Sequence, residues 1–496
     1  MKSKLFYIAL LLFVSFSSCD DSFLEQEFKN GLVDDNFFKT PDHAKSALTA
    51  VYDVLDFEGQ YLLGRKILGS SSADDIVEDH GDFSRVGTGM IEVDKYTWNS
   101  SSRYILDHWY SSYKGIKRAN DVIANVPLIE DLSSELSIRY VSEAKALRAL
   151  FYYNLVTAFG DIPLITEPLS ADAAKNLTND PTAEIWAQIV TDLEGAKSKL
   201  PATYDAANLG RVTSGFCNAM LSKVYLWTGE YQKAIDAANA VSGYSLEPKY
   251  ADMYNGVAES GKEIILDIMM ASGAPTEDIW HTESSEVNRT VLYGPFFAWS
   301  KFNQPSRNFI DNMFTANDVR KSAGVLLDHL RGDVYDKNGD GNITSPEDDI
   351  PANDPVNAHM IKYVLKGADL NSGAVWSGGL QTVNVIIIRY AEVLLNLAEA
   401  YNESGDGGKA LTPLNKVRVR AGLEPVTTTD QNQLRAIILK ERALEFAWEG
   451  HRFFDLKRAG KLSEVLSPLG WQSHMTVFPI PQTEIDLTKM KQNKGF

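Results

Sequence analysis

The chain is short of the residues that build covalently stapled or metal-stapled folds. Its 496 residues include two cysteines and eight histidines. With so few, a disulfide framework is excluded, and no Cys/His set has zinc spacing. Positive charge is also in deficit, with 48 Lys and Arg against 66 Asp and Glu and a formal charge of −18. Such a surface repels nucleic acid and disfavours basic-patch binding to anionic lipid. Neutral or cationic ligands suit it better than sulfated glycans. The sequence has no GxSxG, no HExxH and no Gly-rich phosphate loop, which argues against the hydrolase and nucleotide chemistries those motifs serve. Carboxylates are plentiful, so a secreted glycoside hydrolase stays open as a lesser alternative.

The apolar run Leu5–Val14, behind Lys2 and Lys4, is too short to span a bilayer, which takes about 20 residues. It reads as the core of a signal peptide over residues 1–18. Phe16-Ser17-Ser18-Cys19 resembles a bacterial lipoprotein box, with Phe16 in place of the usual aliphatic residue. Cys19 is therefore expected to carry lipid and to begin the mature chain. Asp20-Asp21 resembles the acidic export tag of surface lipoproteins. Losing Lys2 and Lys4 with the leader takes the formal charge from −18 to −20. Cys217 then has no partner, and in the helical run Thr213–Trp227 it is expected to be a buried apolar residue.

What the chain does have is helical periodicity. A hydrophobic content of 44% is that of a globular protein. Tyr390, Val393, Leu394, Leu397, Ala398 and Tyr401 form one apolar stripe. Ser404-Gly405-Asp406-Gly407-Gly408 ends it, and Ala410, Leu414, Val417 and Ala421 mark a second helix packed antiparallel to the first. Ser222–Val241 aligns without gaps on Ala398–Val417, pairing Tyr225 with Tyr401, Gly229 with Gly405 and Ala234 with Ala410. This spacing resembles a tetratricopeptide repeat. Pro413 predicts a late start for the second helix. Tyr140–Phe159 is a third candidate copy. The expectation is an all-α, mostly helical fold, a repeat scaffold with long irregular loop insertions. Helical repeats would span residues 40–245 and 381–460, a loop-rich insertion 246–380, and a C-terminal segment 461–496, all in one domain from 19 to 496.

In the last helix Leu434, Ile437, Ile438, Leu444 and Trp448 share a stripe with Glu441 and Glu445. Buried carboxylates need partners, and Arg442, Arg452, Arg418 and Arg420 are near in sequence. A structural ion-pair network is favoured over a catalytic carboxylate pair. Arg389–Tyr401 and Glu441–Arg458 together resemble the C-terminal signature of the SusD/RagB family of surface lipoproteins. That resemblance implies a non-catalytic protein that captures oligosaccharide or polysaccharide and delivers it to a TonB-dependent SusC-like transporter. It would sit on the outer membrane, lipid-anchored and exposed at the cell surface. Some members serve peptide uptake, which is the alternative. The resemblance also makes Asn317-Asp318-Val319-Arg320 a structural motif.

Two segments carry ligand chemistry. Asp336–Glu347 fits a twelve-residue calcium loop, with Asp336, Asn338, Asp340, Asn342, Thr344 and Glu347 at ligand positions and Gly341 at the sharp turn. Pro346 and the nearby Gly332 and Pro351 suit a solitary structural Ca2+ clip better than half of an EF-hand pair. Sugar rings pair an apolar C–H face with a rim of hydroxyls, so their sites mix aromatic rings with amide and charged groups. Trp98 with Asn99, and Trp280, Tyr293, Trp299 and Trp376 in the insertion, are the glycan-contact candidates. Trp109 and Tyr113, at helical spacing with Ile116, are assigned to the core. The family resemblance adds Asp75 and Arg85 as polar contacts.

Overall fold

The computed structural model describes residues 37–78, 85–269, 304–327, 358–360 and 383–496. Helix α1 (Pro41–Asp53) starts where the Thr40 side chain accepts from the His43 amide and Pro41 fills the first turn. After α2 (Arg85–Asp94), two long helices follow, α3 (Arg103–Asn125) and α4 (Ser134–Phe159). Helix α4 is buried on nearly every side from Ala146 to Phe159. The reason is that α3, α5 (Thr182–Lys197) and α1 all pack on it; a helix covered all round reads as apolar all round. Its polar exceptions are paired, as where Arg148 grips Asp192 through two bonds of 2.8 Å.

The two aligned segments form the same hairpin. Helices α6 (Ser214–Trp227) and α7 (Tyr231–Ala240) make the first copy. Helices α8 (Tyr390–Glu403) and α9 (Gly407–Arg420) make the second, and α7 packs on α8. The turns are equivalent bond for bond. The Glu230 amide donates to the Tyr225 carbonyl at 2.8 Å, and the Asp406 amide donates to the Tyr401 carbonyl at 2.8 Å. Gly229 and Gly405 stand at φ +73° and +85°, the left-handed geometry that ends a helix. Ala234 and Ala410 are both buried at the helix contact. Tyr140–Phe159 is instead the body of the single long α4.

Three expectations need correction. Pro413 does not delay α9, which begins at Gly407 with Asp406 as its cap and carries buried Pro413 inside; packing outweighs the one lost hydrogen bond. Residues Val385–Arg389, inside the stretch assigned to helical repeats, form strand β6 before α8 starts. Their β-branched run suits a buried strand. Helix α10 (Gln431–Glu445) stops before Trp448, which adopts φ +63°.

The fold is mostly helical, with three two-stranded antiparallel sheets among the described residues. Strand β1 (Ile76–Val77) pairs with β3 (Gln304–Pro305). Strand β2 (Ile264–Ile268) pairs with β6, Ile264 opposite Arg389 and Ile268 opposite Val385. Strand β4 (Val325–Leu327) pairs with β5 (Ala358–Met360). Among the described residues the largest hydrophobic core runs from Ala44 to Met490, beside two smaller clusters, and Cys217 is buried within the largest. Among the described residues no helix is long and apolar enough to cross a membrane.

Candidate functional site

Strands β1 and β3 and the Tyr96–Ser102 turn bring two of the expected ligand-contact segments to one end of the core. The segment Ser70–Glu78 is held by its own polar groups. The Asp75 carboxylate accepts from the Trp448 amide at 3.0 Å and from the Ser70 hydroxyl at 3.1 Å. The Asp75 carbonyl accepts from the Trp448 indole at 2.8 Å and from the Ser306 amide at 2.9 Å. These bonds hold Trp448 in a conformation that bulky side chains rarely adopt. Beside them Arg452 pairs with Asp74 at 2.6 Å. Burial pushes the Asp75 carboxyl up to about 7, with Asp74 adding to the rise and the Trp448 amide opposing it.

Asp75 is therefore fully enclosed. Trp98 is likewise only 4% exposed, packed between Tyr96 and Phe478 at centroid distances of 5.3 Å. It packs as part of the core. The Tyr96 hydroxyl ties this turn to the Ser72 carbonyl at 3.1 Å, and the Ser100 hydroxyl ties it to Gln482 at 3.2 Å. Asn99 is exposed, but its side-chain oxygen accepts from the Ser101 amide at 2.8 Å, a local turn bond. Arg85 begins α2, and its side chain lies outside the described residues. Trp280, Tyr293, Trp299 and Trp376 lie outside them too. So do Cys19 and the loop Asp336–Glu347. Among the described residues no group of His, Cys, Asp and Glu could hold a metal ion.

Glu441 and Glu445 are fully buried and fully paired. Glu441 meets Arg320 at 2.7 Å and Arg418 at 2.8 Å. Glu445 meets Arg320 at 2.9 Å, and also Arg389 and Arg420. Three arginines hold the Glu445 carboxyl well below the usual carboxylate range, against the opposing effect of burial. Two of the partners expected from sequence, Arg418 and Arg420, are here. Arg442 instead pairs with Asp455 at 2.9 Å, and Arg452 with Asp74. Their places are taken by Arg320, whose motif is thereby structural, and by Arg389. Neither glutamate is free to act as an acid or base.

One open hollow does carry sugar-like chemistry. A groove of about 260 Å³ runs beside α3, lined by Trp109, Tyr110, Tyr113, Lys117, Glu167 and Glu484, among others. Trp109 is buried, as its spacing predicts, whereas Tyr110 is 42% exposed. Tyr110 is not among the glycan contacts chosen from the sequence, although it stands one residue off the buried Trp109–Tyr113–Ile116 stripe. That position, next to a buried ring but off its stripe, was the available signal. Its hydroxyl meets the Thr483 hydroxyl on the C-terminal segment.

Residues 222–496 match the family described as the SusD family, and residues 36–226 match the one described as starch-binding associating with outer membrane. Among relatives, the chain is 29% identical to SusD-like protein P2 of Formosa agariphila, over all of both chains. Among solved structures it is similar to a laminarin binding SusD-like protein, with a TM-score of 0.79 and 28% identity over 92% of this chain and 100% of that one. It also shares the fold of surface glycan-binding protein A from Bacteroides thetaiotaomicron in complex with laminarihexaose. There the TM-score is 0.76 and the identity 22%, over 92% of this chain and 100% of that one.

Proposed function

We propose, from the premise that the chain belongs to the SusD family, that it is a glycan-binding protein of the outer membrane which captures polysaccharide without cleaving it. The observation that carries this reading is the full-length similarity to a laminarin binding SusD-like protein. Laminarin-type glucan is accordingly the first ligand to test. Lipid on Cys19 would anchor the protein at the cell surface, and a SusC-like transporter would receive the ligand. Modest affinity in each contact would suffice, because a partner complex retains the ligand by proximity. Glu441 and Glu445, the carboxylate pair that the sequence offers as a catalytic alternative, are committed to internal ion pairs.

Affinity electrophoresis of the mature protein through gels containing single polysaccharides tests the reading. Retardation by laminarin with no release of reducing sugar is expected. Trp280→Ala and Trp299→Ala should each weaken it, and Tyr110→Ala reports whether the groove beside α3 takes part. Release of sugar would point to a hydrolase. Retention by peptide pools, with none by any polysaccharide, would move the protein to peptide uptake.

A further inference from the structure

A cavity of about 40 Å³ lies where the Tyr61–Lys66 segment and α4 meet the C-terminal stretch Glu449–Arg458. One water needs roughly 10–15 Å³, so the space exceeds that requirement. Its wall presents Arg65, Lys223, Arg442 and Arg458 with two carboxylates, Glu449 and Asp455. Those carboxylates are already engaged, Glu449 with Arg389 at 3.0 Å and Asp455 with Arg442 at 2.9 Å. Behind the wall Lys223 pairs with Glu392 at 2.7 Å, and Arg458 with Glu399.

Arg65 has no such partner: among the described residues no carboxylate lies within ion-pair distance of it. It is 7% exposed, stacks on Phe454 at 3.6 Å, and donates to the Asn154 carbonyl at 3.3 Å and the Thr157 hydroxyl at 3.2 Å. Burial lowers its pKa, whereas Arg320 and Arg389, ringed by carboxylates, are raised. Arg442 Nε is buried without an acceptor among the described residues. The Tyr153 hydroxyl accepts from the Trp227 indole at 3.0 Å and keeps its own hydrogen for another acceptor. His451, held near 4 by burial, adds no positive charge at neutral pH.

We propose that this cavity binds a small monovalent anion of the size and charge of chloride, held by Arg65, Arg442 and Tyr153. A buried charge without a partner is costly, and an acceptor-only ion answers both the unpaired Arg65 charge and the open Arg442 Nε and Tyr153 donors. Bound there, it joins the N-terminal helices to the C-terminal stretch.

The decisive measurement is diffraction from crystals of the protein soaked in bromide. An anomalous peak inside the cavity is expected, and a cavity that holds water alone overturns the proposal. In solution, at constant ionic strength, replacing gluconate by chloride should raise Tm by roughly 1–3 °C per tenfold increase above Kd. Arg65→Met should abolish that chloride response. If that variant fails to fold, the bromide measurement on the unaltered protein still decides, and a Tm rise without a cavity peak counts against the site.

Discussion

At Asp75 a carboxyl group fully enclosed in protein supports the strained Trp448. Burial holds its pKa near 7, against about 4 for an unfolded aspartate. Between those values the folded chain binds more protons than the unfolded one, so Asp75 contributes stability at low pH and loses it as pH rises from about 4 through 7. His108 and His451, both lowered by burial to about 4, act in the opposite sense over nearly the same window. Only a difference isolates the aspartate. The stability of the wild type minus that of Asp75→Asn, measured by urea unfolding, should fall across pH 4–7 by at most about 4 kcal/mol. A difference that stays flat would mean that Asp75 titrates normally.

The elements of the C-terminal half are joined by charge as much as by apolar packing. Glu263 precedes β2, Arg389 ends β6, Arg418 and Arg420 end α9, and Glu441 and Glu445 lie on α10. Glu263 meets Arg389 at 3.0 Å and Arg420 at 3.1 Å, closing the cluster. Breaking one member strands its buried partners, so Glu445→Gln should cost about 3–5 kcal/mol. Gly405→Ala, at φ +85° but with no atom within 4 Å of the added carbon, should cost only about 1 kcal/mol. Denaturation midpoints check the ranking; equal costs would mean that the cluster contributes little to holding β6, α9 and α10 together.

At the scale of the whole molecule, Trp280, Tyr293, Trp299, Trp376 and the Asp336–Glu347 loop all fall in residues 246–380, the stretch expected from sequence to be a loop-rich insertion. Calcium bound there would stabilise the folded chain by linkage, and weak affinity would suffice outside the cell. EDTA is expected to lower Tm by a few degrees, with calcium restoring it, and Asp336→Asn with Glu347→Gln should remove the response. A Tm indifferent to EDTA would leave the loop a polar turn.

The helical body was legible because amphipathic periodicity and turn chemistry are local. Gly229 and Gly405 mark two turns whose hydrogen bonds match, and the family signature lies in contiguous residues. Burial of Glu441 and Glu445 was legible from their place on an apolar stripe, but two of their partners were not. Arg320 stands more than a hundred residues away from them in the chain, and Arg389 joins them through the β2–β6 pairing. The fate of Trp98 was likewise decided in three dimensions. A tryptophan beside an asparagine fits a sugar platform or a core equally well, and Phe478, from the other end of the chain, covers it. Local pattern sets which elements form and which face is apolar. Which exposed-looking rings are covered, and which buried charges meet, depends on segments that only the fold brings together, because those energies arise from contacts between residues far apart in sequence.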